Sequence, residues 1–157
     1  MRFAIDSNIL VYAFVRDDPR KHQIASEIMI RAMTLDAVIA TQTLAEFLNV
    51  IKRKVPKLFG DACAQVRRWQ TTFEPVDTTV QHVLAGADFA ARYQLQLWDS
   101  IIWQVARSAH AVLLLTEDLQ DHLSIDGMKT INPFETANEA AISALLSSGD
   151  DEIDWSD

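Results

Sequence analysis

Apolar residues along this chain occur in two patterns: short continuous runs, and longer stretches spaced by three and four. Residues 2–5, 38–40 and 112–115 are brief and almost wholly apolar, as strands covered on both faces are. Residues 129–131 are expected to form the last strand. Helical spacing begins at the Asp17-Asp18-Pro19 start signal and runs over residues 19–33, with Ile24 and Ile28 on one face. The clearest stripe, Leu44, Phe47, Leu48, Ile51 and Val55, predicts a helix over residues 41–54 that Pro56 ends. Residues 60–72 and 78–93 read as two more helices, with an edge strand at 73–76 that must accommodate Pro75. After a loop at 94–98, Asp99 is expected to begin a helix to about Ser108. Residues 135–148 suggest a last amphipathic helix through Ala141, Ile142, Leu145 and Leu146. Short apolar strands separated by helices imply an α/β fold, a three-layer α/β/α sandwich around a short, mainly parallel sheet.

Composition narrows the class. With 49% hydrophobic and 23% charged residues among 157, the chain suits one globular domain with its own core. Its single cysteine, Cys63, excludes an intramolecular disulfide and a cysteine-built zinc site, and suits a reducing, cytoplasmic setting. The apolar run before Asp6 is too short for a signal peptide and no later run reaches spanning length, so no membrane association is expected.

The net charge of −8 is the wrong sign for holding nucleic acid by bulk charge. The excess is localised, however. Asp150, Asp151, Glu152, Asp154 and Asp157 supply five of those charges, leaving the rest of the chain at −3. That acidic tail, from Gly149 onward, is expected to be disordered. Its Ile153 and Trp155 also allow a reading in which it occupies an active-site crevice.

Acidic residues carry the candidate chemistry. In open parallel sheets ligands bind outside the carboxyl ends of the strands, where Asp6 follows the first expected strand and Asp118 lies in the turn after residues 112–115. Asp99, at a loop-to-helix junction, reaches the same rim if its helix runs antiparallel to them. Each of these aspartates equally suits a helix N-cap. Glu46 lies opposite the apolar stripe, beside Asn49 and Arg53, on a face that is either solvated or lines a cleft. Glu117 and Asp121 flank Asp118 and compete for its place.

The wording around these acids resembles the PIN domain family. Phe3-Ala4-Ile5-Asp6-Ser7-Asn8-Ile9-Leu10 is similar to that family's opening strand and first acid. Thr43-Leu44-Ala45-Glu46-Phe47, Trp98-Asp99-Ser100-Ile101-Ile102 and Leu114-Leu115-Thr116-Glu117-Asp118 resemble its second, third and fourth acids, in the family's order. Within the family the likeness is greatest to VapC-type toxins, for which Asn132-Pro133-Phe134 is a typical ending. Two features depart from the pattern: His122 stands where a glycine often comes after the last aspartate, and 23 residues continue beyond Phe134.

The resemblance implies a PIN-like nuclease domain over residues 1–134, then a helical extension and acidic tail over 135–157. It implies a ribonuclease toxin of a type II toxin-antitoxin pair, with an RNA substrate, a cognate antitoxin and a homodimer as partners. Asp6, Glu46, Asp99 and Asp118 would be catalytic, with Asp6 and Asp99 the direct ligands of Mg2+, for which Mn2+ substitutes; one or two metals remain open. Carboxylates crowded in one crevice call for such hard cations. Asn8 and Thr116 suit supporting roles or plain capping and turn roles. Lys52, Arg53, Lys54, Lys57, Arg67 and Arg68 either guide an RNA backbone or complement helix ends. Trp69, Trp98 and Trp103 are candidates for base stacking or for core and interface positions. His22, His82, His110 and His122 lack metal-ligand spacing. The competing readings are a PIN scaffold without turnover that acts as a binding module, and a Mg2+-dependent phosphatase. The latter lacks the second aspartate, two positions after Asp6, of haloacid dehalogenase-type enzymes.

Overall fold

The computed structural model describes residues 1–148; the acidic tail, with Ile153 and Trp155, lies outside the described residues. Five short strands form one sheet: β1 (Phe3–Ile5), β2 (Ala37–Val38), β3 (Leu113–Leu115), β4 (Ser124–Ile125) and β5 (Met128–Ile131). Their order is β2-β1-β3-β5-β4, parallel except for the β4–β5 hairpin. Phe3 stands opposite Leu113, Ile5 opposite Leu115, and Leu115 opposite Ile131.

Side chains alternate across a strand, so this register sorts them into two apolar layers. Phe3, Ile5, Leu113, Leu115 and Ile131 face one core and Ala4, Val38, Leu114 and Met128 the other. The first layer is covered by α1 (Ser7–Phe14), α2 (Pro19–Ala32), α3 (Thr41–Lys54), α4 (Phe59–Phe73) and α7 (Glu139–Ser147). Phe47 of α3 sits at its centre, edge-on to both Phe14 and Trp69. The second layer is covered by α5 (Val80–Tyr93) and α6 (Leu97–Ser108), where Trp103 stacks on Phe89. Close approach of these two helices depends on Gly86: a Cβ there would lie 2.7 Å from Ile101 Cγ1. The expected three-layer α/β/α arrangement is thus observed.

Several elements depart from the sequence reading. The eight-residue α1 has no counterpart in it, since Ile9–Phe14 carries no polar face to give a helical rhythm; it is the cap at Asp6, not periodicity, that marks its start. The edge strand at 73–76 is not formed. Phe73 ends α4, and only Val76 pairs, in a parallel bridge to Ala40. Pro75 has no amide to extend that pairing. Asp99 does not begin its helix: α6 starts at Leu97 and holds Asp99 in its first turn. The β4–β5 hairpin turns through Asp126 and Gly127, both at positive φ. Residues 135–148 divide into a 3-10 turn, Thr136–Asn138, and α7; Ile142, Leu145 and Leu146 are buried while Ala141 is exposed. Among the described residues no helix is long and apolar enough to cross a membrane.

Candidate active site

Because β1 and β3 are parallel neighbours, the segments that leave their carboxyl ends emerge at the same rim of the sheet. Asp6 leaves β1 there and caps α1, its Oδ1 accepting the Ser7 amide at 2.7 Å. Its Oδ2 accepts the Thr116 hydroxyl at 2.7 Å and Asn8 Nδ2 at 3.3 Å. Capping and site placement therefore coexist in one side chain. Asp6 is only 2% exposed, and burial pushes its carboxyl up to about 7. The hydrogen bonds from Thr116 and Ser7 act in the opposite direction, and the charges of Asp118 and Asp99 add to the rise.

Thr116 and Asn8 form the frame between the first and fourth acids. Buried Thr116 accepts the Asp118 amide at 3.1 Å, closing the turn after β3. Asn8 Nδ2 donates to Asp118 Oδ2 at 3.0 Å. Asn8 Oδ1 is buried with no donor among the described residues.

Glu46 and Asp99 arrive from helices. Glu46 sits mid-way along α3, on the face opposite its buried stripe, and that face lines the crevice rather than open solvent. Ser7 Oγ donates to Glu46 Oε2 at 3.2 Å and Gln42 Nε2 to Oε1 at 2.7 Å, so both its oxygens are held. Gln42 also donates to the Trp98 carbonyl at 3.2 Å, tying α3 to the start of α6. Half-buried Asp99 is raised to about 6 by burial and then by the charges of Asp118 and Glu46. Glu46, Asp99 and Asp118 line a cleft of about 730 Å³ with Gln42, Asn49, Gln96 and Trp98. Asp6 is not among the residues lining the cleft; it is buried beside them, joined to Asp118 through Asn8 Nδ2 and raised by the charges of Asp118 and Asp99. Among the described residues, no three Asp, Glu, His or Cys side chains are grouped tightly enough to hold an ion by themselves.

The acids flanking Asp118 are committed elsewhere. Glu117 accepts Tyr12 Oη at 2.7 Å and Lys21 Nζ at 2.6 Å. Asp121 accepts the Asn132 amide and Asn138 Nδ2, each at 2.8 Å, and these bonds hold its carboxyl low against the effect of burial. Trp69 and Trp103 are core residues, whereas Trp98 is exposed at the cleft. The four histidines stay out of the site: His82 closes a capping box on α5, His22 Nδ1 lies 2.8 Å from the Tyr12 carbonyl oxygen, and His110 and His122 occupy left-handed turns. None of the six basic residues lines the cleft. The sequence reading missed Ser7 and Gln42; Gln42 lies four residues before Glu46, a spacing that makes helix neighbours.

A family model described as PIN domain matches residues 3–125. No curated protein matches the chain in sequence. Among solved structures, Mycobacterium tuberculosis VapC20, a sarcin-ricin loop cleaving toxin, is 15% identical, with a TM-score of 0.61 over 71% of this chain and 86% of that one. A toxin-antitoxin complex from Klebsiella pneumoniae is 21% identical, with a TM-score of 0.60 over 84% and 98%. VapBC2 from Rickettsia felis, bound to a DNA fragment from its promoter, is 16% identical, with a TM-score of 0.59 over the same shares. At such identities the likeness is one of fold. The family match, however, runs across the segments that carry Asp6, Glu46, Asp99 and Asp118, and on it this chain belongs to the PIN domain family.

Proposed function

We propose that this chain is a Mg2+-dependent endoribonuclease, with Mn2+ as a substitute, and the toxin of a type II toxin-antitoxin pair. The observation that carries the reading is that three carboxylates from separate elements, Glu46, Asp99 and Asp118, line one cleft with the buried Asp6 joined to Asp118 through Asn8, and that Asp6 and Asp99 have raised pKa values. Asp6, Glu46, Asp99 and Asp118 form its catalytic set, and Asp6 and Asp99 would hold the metal.

The donor set fits a hard dication. It is all oxygen, and its charges repel one another. Mg2+ commonly takes only one or two carboxylates and keeps several waters, so a tight cage of side chains is not required. When bound, such an ion offsets negative charge on a phosphodiester and acidifies a water.

The chain's own residues then do the positioning. Thr116 and the Ser7 amide fix the orientation of Asp6, Asn8 fixes Asp118, and Ser7 and Gln42 fix Glu46. Fixed charges of this kind act without reorganising during the reaction. A phosphatase of the haloacid dehalogenase type is disfavoured: Asn8, in place of its second aspartate, donates hydrogen bonds to Asp6 and Asp118.

An antitoxin partner is supported by the two structural neighbours that are toxin-antitoxin pairs. A homodimer is supported by Val80, Val83 and Leu84, which leave an apolar stripe of α5 uncovered. A cytoplasmic setting is supported by the lone, free Cys63.

The test is cleavage of a mixed RNA pool by the purified chain with Mg2+ or Mn2+, beside EDTA and Asp6→Asn controls. Cleavage abolished by both controls is expected. Divalent binding without cleavage would leave the binding-module reading in its place.

A further inference from the structure

Of the three tryptophans among the described residues, two are consumed by the cores and one is not. Trp98 is 63% exposed, lines the cleft, and precedes Asp99 directly. Its backbone is anchored, because Gln42 Nε2 donates to its carbonyl and Gln42 is itself bonded to Glu46. An exposed indole on a fixed backbone is a preformed flat surface beside the acids.

The remainder of the lining defines what that surface would meet. Among the described residues the cleft is lined by carboxylates and carboxamides and by no lysine or arginine, so none of them offers a phosphate a cationic contact. Asn49 and Gln96 are exposed there, and each presents both a donor and an acceptor. Aromatic faces with adjacent carboxamides suit a nucleobase, whose face stacks and whose edge offers complementary donors and acceptors. A base inside a duplex has no free face, so the ligand must be unpaired.

We propose that Trp98 is a stacking platform for an unpaired nucleobase next to the cleaved phosphodiester, with Asn49 and Gln96 facing the edge of that base. The inference rests on the ribonuclease reading of the same cleft and adds to it the residues that would engage the base, Trp98 by its face and Asn49 and Gln96 by their carboxamides.

The experiment compares the full chain with Trp98→Ala, Trp98→Phe and Asp6→Asn. Cleavage kinetics, tryptophan fluorescence and oligomeric state are read with short single-stranded RNA oligonucleotides and a duplex of the same sequence. Alanine substitution at a stacking site weakens binding by about 5- to 150-fold. Trp98→Ala is therefore expected to raise KM by that range with kcat little changed. Trp98→Phe should restore most of the KM while losing the oligonucleotide-induced fluorescence quench seen in the native chain, and the duplex should bind poorly throughout. An unchanged KM in Trp98→Ala overturns the proposal, as does failure of phenylalanine to rescue. A Trp98→Ala variant that changes oligomeric state along with binding also overturns it, placing Trp98 in a protein interface. If the native chain binds and quenches but cuts nothing, the ribonuclease reading falls and the stacking site stands. If it cuts RNA with no quench, the stacking site falls alone.

Discussion

Ionising Asp6 in the metal-free protein places a charge where burial, Asp118 and Asp99 all oppose it, and the hydrogen bonds from Thr116 and Ser7 offset only part of that cost. Its carboxyl titrates at about 7 in the fold, against about 3.9 in an unfolded chain. Between those values the native state holds a proton that the unfolded state has released, so stability is greatest below the lower value and is lost as pH rises to the upper one. A dication that binds only the native state reverses the loss. Metal-free protein is therefore expected to melt at lower temperature at about pH 8 than at about pH 5, and Mg2+ should raise the melting point chiefly at the higher pH. Asp6→Asn should abolish cleavage, weaken this dependence to the part that the raised Asp99 carries, and melt higher than the native chain at the higher pH, by about 2–4 °C per kcal/mol relieved. A metal-free melting point that ignores pH would contradict a buried, proton-holding Asp6. At this scale the sequence was only partly legible. Family wording singled out Asp118 over Glu117, but in a turn no periodicity separates neighbours, and the physical reason lies in Tyr12 and Lys21, distant in sequence, which engage Glu117. Glu46 shows the same limit: the 3.6-residue period gives its face, and cannot tell solvent from cleft.

Elements hold the acids through a few close contacts, and two of these are separable by mutation. Glu117 joins Tyr12 of α1 and Lys21 of α2 to the turn after β3, next to Thr116 and Asp118. The clamp is partly shielded: Glu117 is 20% exposed and Lys21 28%. Glu117→Gln, which keeps size and loses charge, is expected to cost about 1–2 kcal/mol in urea unfolding and to lower kcat by loosening the turn. Full activity in this variant would mean the turn holds itself. Gly86→Ala tests the other layer, since the added carbon would also lie 3.0 Å from the Ile101 backbone, which cannot move without carrying α6. Overpacking of this kind costs about 1–3 kcal/mol, and displacement of α6 moves Asp99, so reduced stability and reduced cleavage should appear together. The strands and long amphipathic helices were legible because burial writes a period into them. Three features were not. Helix α1 is short and apolar nearly all round, Val76 reaches the sheet through a single bridge, and Asp99 sits inside rather than at the start of its helix, because Leu97 and Trp98 already adopt helical geometry before it.

For the whole molecule, the ribonuclease reading makes charge decide how RNA would be held. Net charge is −8, of which the body carries −3, and the acids at the cleft would repel phosphate without a cation. Lys52, Arg53 and Lys54 occupy the last turn of α3, where they complement the negative end of the helix dipole. Arg68 is spent in bonds to Gln65 one turn away, and Lys52 lies over the Phe59 ring. These positions favour a local structural role for the basic cluster over a track for the RNA backbone. Binding that relies on dications and base stacking releases few counterions, and single-stranded RNA loses affinity with salt in proportion to the phosphates neutralised. With one or two such contacts the affinity should fall by less than about 10-fold between about 50 and 200 mM salt, whereas six to ten contacts would cost about 300-fold or more. The measurement is a salt titration of binding at fixed Mg2+, repeated with Lys57→Ala and Arg67→Ala, whose slopes should match that of the native chain. A steep native slope that flattens in those variants would instead make the basic cluster part of the RNA path, and would move the main source of affinity from the cleft to the surface of α3 and α4.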